Sequence, residues 1–209
     1  MNSIETLCHD HMTQLCALHP DPSHDISHVE RVVRWAKSLA EKQGANLDIV
    51  VPAAYLHDCV YISKSDARRS QASKLSADFS LELLKKWNYS EKYFPQIHHA
   101  ILAHSFSANV PTESLEAQVV QDADRLDAMG VIGSLRCFAF SGMAGRALYS
   151  SVDPFAQNRV PNDATNTLDH FYVKLLKLQD KLHTQAAKTE GARRVKSMQF
   201  MLQALETEI

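Results

Sequence analysis

Four places in the chain gather side chains able to hold a divalent ion. They are His24 with His28, the dipeptide His57-Asp58, His98-His99 with His104, and the run Gln121-Asp122-Ala123-Asp124-Arg125-Leu126-Asp127. Imidazole and carboxylate together suit Mn²⁺, Fe²⁺ or Zn²⁺, whereas Mg²⁺ prefers oxygen. Each place alone has an ordinary explanation, since a histidine at a helix start is usually a surface or capping residue. The carboxylates resist that explanation. Asp58 follows the core-like run Val-Val-Pro-Ala-Ala-Tyr-Leu, and Asp124 lies one turn beyond Val120 on an otherwise apolar helix. A carboxylate in such a setting needs a partner charge or a metal. Neighbouring residues on a helix point about 100° apart, so His57 and Asp58 can share an ion only beyond the helix end, with other helices closing the shell. A shell that keeps positions open for water and a phosphate oxygen is catalytic rather than structural.

The elements that must position these groups read as helices almost throughout. Ile4, Leu7, Cys8, Met12, Leu15 and Cys16 mark one apolar face, ended by the prolines at 20 and 22. Val29, Val32, Val33, Ala36, Leu39 and Ala40 mark a second, with Gly44 as its C-cap. A third helix is expected over about 49–59, with Pro52 in its first turn. From 66 to 87 the apolar face runs through Ala72, Leu75, Phe79 and Leu83. Ser90 caps a helix carrying Phe94, Ile97, Ile101 and His104, and another spans about 115–129. The stretch 141–165 holds Gly142, Gly145, Pro154 and Pro161 and reads as a long irregular insertion, the kind of loop that tends to be functional. Helical order returns at Leu168 and runs in a final helix to about Leu205. The expected class is all-α, a single domain over 1–209 with a site core at about 24–130 and C-terminal helices over about 166–209.

Composition narrows the partners. Lys and Arg number 22 against 24 Asp and Glu, a formal net charge of −2, so no global basic field draws the chain to nucleic acid or anionic lipid. Cys8, Cys16, Cys59 and Cys137 form no CxxC pair, which predicts reduced thiols and a cytoplasmic location. The N-terminus lacks the cationic start and apolar run of a signal peptide, and no apolar stretch is long enough for a membrane span. No GxxxxGK[ST] phosphate loop occurs.

The ordered series His28-Val-Glu-Arg31-Val32, His57-Asp58 and Ala123-Asp124-Arg125-Leu126-Asp127 resembles the H…HD…D signature of HD-domain phosphohydrolases. The likeness extends to a bacterial subgroup through His24-Asp25-x-x-His28-x-x-Arg31-Val32, Ala103-His104-Ser105-Phe106-Ser107, Gln121-Asp122-Ala123-Asp124-Arg125-Leu126, Asp169-His170-Phe171 and Lys174-Leu-Leu-Lys177. It covers about residues 24–182. The resemblance implies an HD-type helical bundle whose metal ligands are His28, His57, Asp58 and Asp124. His24, four residues before His28, competes for the first position, but the family pattern puts the ligand three residues before Arg31, leaving His24 as a wall or substrate contact. His98 and His99 match no family element and read as surface residues. Where some relatives carry an acidic pair after HD, this chain has Cys59-Val60-Tyr61-Ile62 and no acid until Asp66.

The expected activity is hydrolysis of a phosphoester or phosphoanhydride bond in a small phosphorylated substrate, expected to be a nucleotide. It would use one divalent ion per site: Mn²⁺, Mg²⁺, Fe²⁺ or Zn²⁺. Water on such an ion has a pKa of about 7 instead of about 15.7. Asp58 and Asp124 would hold that water, and His104 would donate to phosphate or help bind a second ion. Lys64, Arg68 and Arg69 follow the HD pair and suit a phosphate chain, while a solvated charged face explains them equally well. Asp127, one turn after Asp124, would orient a ligand or water. The chain would act as a monomer or homodimer, without nucleic acid or membrane. The rival from another class is a non-catalytic metal- or nucleotide-binding regulatory module.

Overall fold

A computed structural model of the chain describes residues 3–62, 66–105 and 108–209, with only the backbone of Ala67 and Arg69. Nine α-helices account for most of the described residues, which contain no strand beyond one isolated bridge between Ala147 and Asn166. The class is all-α. No helix is long and apolar enough to cross a membrane among the described residues. The chain divides into two compact units, one of residues 1–20 and 24–124, the other of 21–23 and 125–209.

In the first unit α3 (Leu47–Leu56) is the hub. It packs against α1 (Ile4–Leu18), α2 (Ile26–Gln43), α4 (Ala72–Lys86) and α5 (Phe94–His104). Its residues from Ile49 to Leu56 are all buried, as an apolar run without a polar face requires. The helix starts at Leu47, where the Asn46 side chain caps the Asp48 N–H. Pro52 therefore falls in the second turn, not the first. Its ring nitrogen cannot donate to the Asp48 carbonyl four residues back, and the Tyr89 hydroxyl donates to that carbonyl instead, at 2.7 Å. Tyr89 is brought there by Asn88, whose left-handed backbone (φ 56°) ends α4.

The α2 stripe from Val29 to Ala40 is buried as its spacing predicts, and Gly44 closes the helix at φ 75°. At its start Asp25 accepts from the His28 N–H at 2.9 Å. In α4 the buried face matches the apolar one read from the sequence only at Leu83. Ser73, Ser76, Ala77 and Ser80 face inward, while Ala72, Leu75 and Phe79 are only partly covered. Small side chains let α4 approach closely, and Ser80 meets its own need by donating to the Ala77 carbonyl. The segment before α4 is a 3₁₀ turn, Ala67–Gln71. Ser90 opens a further 3₁₀ turn, Glu91–Tyr93, with α5 beginning at Phe94. α6 (Leu115–Asp127) completes the unit as far as Asp124.

In the second unit α7 (Gly130–Met143) and α9 (Gln185–Glu206) pack together, with α8 (Asp169–Val173) leading into a 3₁₀ stretch, Leu175–Lys181. The irregular segment between α7 and α8 is well tied. Ala147 donates to Thr165 O and accepts from Thr167 N. The wholly buried Asp169 accepts from Arg159 at 2.5 and 2.7 Å and from the Asn162 N–H at 2.5 Å.

Candidate metal centre

The first unit brings His28, His57, Asp58, His104 and Asp124 together from four helices. His57 is the C-cap of α3, Asp58 follows it beyond the helix end, and His104 is the last residue of α5. His28 rises from the first turn of α2 and Asp124 from α6. His28, His57 and Asp58 offer donor atoms within 4.8 Å of one another. Asp124 Oδ1 lies 3.8 Å from His28 Nε2 and 4.0 Å from His57 Nε2. Asp58 Oδ2 lies 3.7 Å from His57 Nε2, and its Oδ1 3.6 Å from His104 Nε2. All four distances exceed those of ordinary hydrogen bonds, so the atoms surround a gap instead of closing on one another.

Two of the rings are fixed by the ends of their helices. His57 Nδ1 lies 2.8 Å from the Ala54 carbonyl and His104 Nδ1 lies 2.6 Å from the Ile101 carbonyl. A carbonyl can only accept, so each Nδ1 carries the proton and each Nε2 is turned into the cluster. His57 Nε2 is buried and has no hydrogen-bond partner. A buried lone pair aimed at two carboxylates and another imidazole is an expensive arrangement unless a cation meets it. An ion bound at about 2.1 Å spaces neighbouring donors roughly 3.0–3.4 Å apart, so the pairs at 3.7, 3.8 and 4.0 Å need to close by less than about an ångström to meet one. The donor set therefore fits a divalent ion, with nitrogen from His28 and His57 and oxygen from Asp58 and Asp124.

The rings run edge to face along the site. His24 and His28 are 5.7 Å apart, His28 and His57 5.4 Å, and His57 and His104 5.0 Å. The imidazoles set the local charge. Desolvation disfavours the Asp58 carboxylate, but His104, His57 and His24 outweigh it and hold its pKa well below the usual carboxylate range. Asp124 is lowered in the same way, with burial opposing and His57, His104 and His28 prevailing. Burial would depress His104, yet the neighbouring Asp58 carboxylate overcomes it and raises the ring to about 9.

The substrate candidates are placed less uniformly. His24 is exposed at the rim beside His28. Arg68 is exposed and already engaged by Asp66, through Nη2–Oδ2 at 2.7 Å and Nε–Oδ1 at 3.1 Å. Lys64 lies outside the described residues, as does the side chain of Arg69. Asp127 is wholly buried and paired with Arg136 Nη1 at 2.9 Å, which is a structural ion pair within the second unit and not an open contact. His98 bonds Asp78 at 2.8 Å and His99 accepts from the Glu113 N–H at 3.0 Å, so both fasten helices and loops.

Two supporting residues were missed by residue type. Ser76 accepts from Val60 N at 3.2 Å and its carbonyl accepts from the Cys59 thiol, holding the segment just after Asp58. Gln121 Nε2 donates to the Ala103 carbonyl at 2.6 Å, tying α6 to the end of α5 beside His104. Its place in the quoted Gln-Asp-Ala-Asp run was the available signal.

The family model of the HD domain matches residues 25–129. YpgQ of Bacillus subtilis, an uncharacterized protein, is 32% identical over 191 residues, covering 89% of this chain and 84% of its own. An HD-superfamily hydrolase from Bacillus thuringiensis is similar in structure, with a TM-score of 0.73 at 32% identity over 98% of this chain and 95% of that one. YpgQ in complex with ADP gives a TM-score of 0.74 at 30% identity, over 96% and 97%. The match spans every ligand candidate from His28 to Asp124, and the chain belongs to the HD-domain superfamily.

Proposed function

We propose that the chain is a metal-dependent phosphohydrolase that cleaves a phosphoester or phosphoanhydride bond of a nucleotide. The observation that carries this reading is the convergence of His28, His57, Asp58 and Asp124 around the partnerless His57 Nε2. These four residues would hold one divalent ion, whose chemistry when bound is to polarise a phosphoryl oxygen and acidify a coordinated water. Asp58, its side chain 44% exposed, presents a carboxylate that water can reach, and Asp124 is 29% exposed across the cluster. Either can orient an attacking water. His104 holds a proton on Nδ1 against the Ile101 carbonyl and points Nε2 toward Asp58, where it offsets negative charge on the phosphate. Arg68 would join only by exchanging the Asp66 carboxylate for phosphate. The ADP held by YpgQ favours a nucleotide over other phosphorylated compounds.

The test is a panel of nucleotides and simple phosphomonoesters incubated with the purified protein and Mn²⁺, Mg²⁺, Fe²⁺ or Zn²⁺ in turn, with monophosphate, pyrophosphate and phosphate resolved. We expect turnover of at least one nucleotide and its loss by more than about 100-fold in Asp58→Ala, since even groups that only orient metal ligands are worth 10–100-fold. A flat panel, with metal binding still dependent on Asp58, would leave a binding module in place of an enzyme.

A further inference from the structure

Next to the cluster the first unit carries a ring pair that the core does not require. His19, which ends α1, and Tyr61 lie face to face, with centroids 4.1 Å apart and planes within 4°. Parallel rings with centroids at this distance are offset-stacked, one of the arrangements that aromatic pairs prefer. Among the described residues of the unit, His9–Tyr55 at 87° and His11–Trp87 at 69° are edge-on instead. The stacked pair is also exposed, Tyr61 to 51%, so the contact contributes little to burial.

Its position is set by two short tethers. Tyr61 is three residues beyond Asp58, a reach of at most about 11 Å of chain. On the other side, the Cys16 thiol lies 3.9 Å from the His24 carbonyl, which places the last turn of α1 beside the residue at the rim of the cluster. The chain thus holds Tyr61 within about 11 Å of Asp58, a gap that a sugar and its phosphates can bridge. A nucleotide has that shape, a planar base separated from its phosphates by a ribose. A polyphosphate has nothing to lay on a ring.

We propose that His19 and Tyr61 form the platform on which the base of a nucleotide stacks while its phosphates face His28, His57, Asp58 and Asp124. The inference rests on the phosphohydrolase reading of that cluster and adds a requirement for a base. Every base has a π-face, so such a platform selects for planarity and tolerates changes of base.

The experiment measures equilibrium binding, with Mn²⁺ present, of the non-hydrolysable α,β-methylene analogue of ADP and of methylenediphosphonate, its base-free counterpart. Wild type, Tyr61→Ala, Tyr61→Phe and His19→Ala are compared. Tyr61→Ala is expected to weaken the nucleotide analogue by about tenfold and leave the diphosphonate unchanged. His19→Ala should act in the same direction, and Tyr61→Phe should restore wild-type binding. Equal losses for both ligands, or no loss for the nucleotide analogue, overturn the proposal, as does a wild type that binds the two ligands equally. A wild type that turns over no nucleotide, yet binds the analogue through Tyr61, removes the hydrolytic reading and leaves the platform standing.

Discussion

Asp169 and the site carboxylates show how one residue type is kept charged in two ways. Asp169 is wholly buried and survives as an anion because Arg159 grips both its oxygens and the Asn162 N–H adds a third bond. Burial works to raise its pKa, but these contacts prevail and lower it. The folded pKa is thus depressed below the unfolded value of about 3.9, so the contribution to stability is complete above that value and is lost as pH falls toward the folded pKa. Thermal melts of wild type from pH 6 to pH 2 should fall steeply below about pH 4, and Asp169→Asn should flatten that acid limb. At neutral pH Asp169→Ala should cost about 3 kcal/mol, the low end for a broken buried pair because Arg159 keeps some solvent. For Asp58 and Asp124 burial likewise opposes the charge, and the groups that prevail over it are imidazoles. That difference separates a finished ion pair from carboxylates left available to a cation.

At the scale of the element, the sequence told more about patterns of apolarity than about what small and polar residues do. The α2 stripe and the ends at Gly44 and the two prolines were legible because periodicity and caps are local. The buried face of α4 was legible only in part. Leu83 is buried as read, but so are Ser73, Ser76 and Ser80, with Ser76 accepting from Val60 N and Ser80 donating to the Ala77 carbonyl, where a reading by hydrophobicity favours Leu75 and Phe79. The convergence of the ligand candidates was legible through residue type and order. That Arg68 is taken by Asp66 and Asp127 by Arg136 was not, because a charge in a sequence does not say which partner reaches it first. The misplaced Pro52 has a testable consequence. Tyr89→Phe should cost about 1 kcal/mol by leaving the Asp48 carbonyl short of a donor. In a Pro52→Ala background, where residue 52 can donate, the same change should be nearly neutral. A double-mutant cycle by urea denaturation reads the difference.

For the whole molecule, an ion that binds the folded chain and not the unfolded one adds stability by mass action, about 2.7 kcal/mol at a hundredfold excess over Kd. Mn²⁺ should therefore raise the melting temperature of wild type, a chelator should reverse the gain, and Asp58→Ala should show neither effect. The two ring clamps make a further consequence. The carbonyls of Ala54 and Ile101 belong to the last turns of α3 and α5, where no backbone donor follows within the helix. The bonds that aim the imidazoles are thus also the bonds that finish the helices. Fraying and loss of aim are then a single event, and amide exchange at those two turns becomes a clock for the site. Occupancy by a cation should slow it at both helix ends together, although the two turns are separated by more than forty residues of chain.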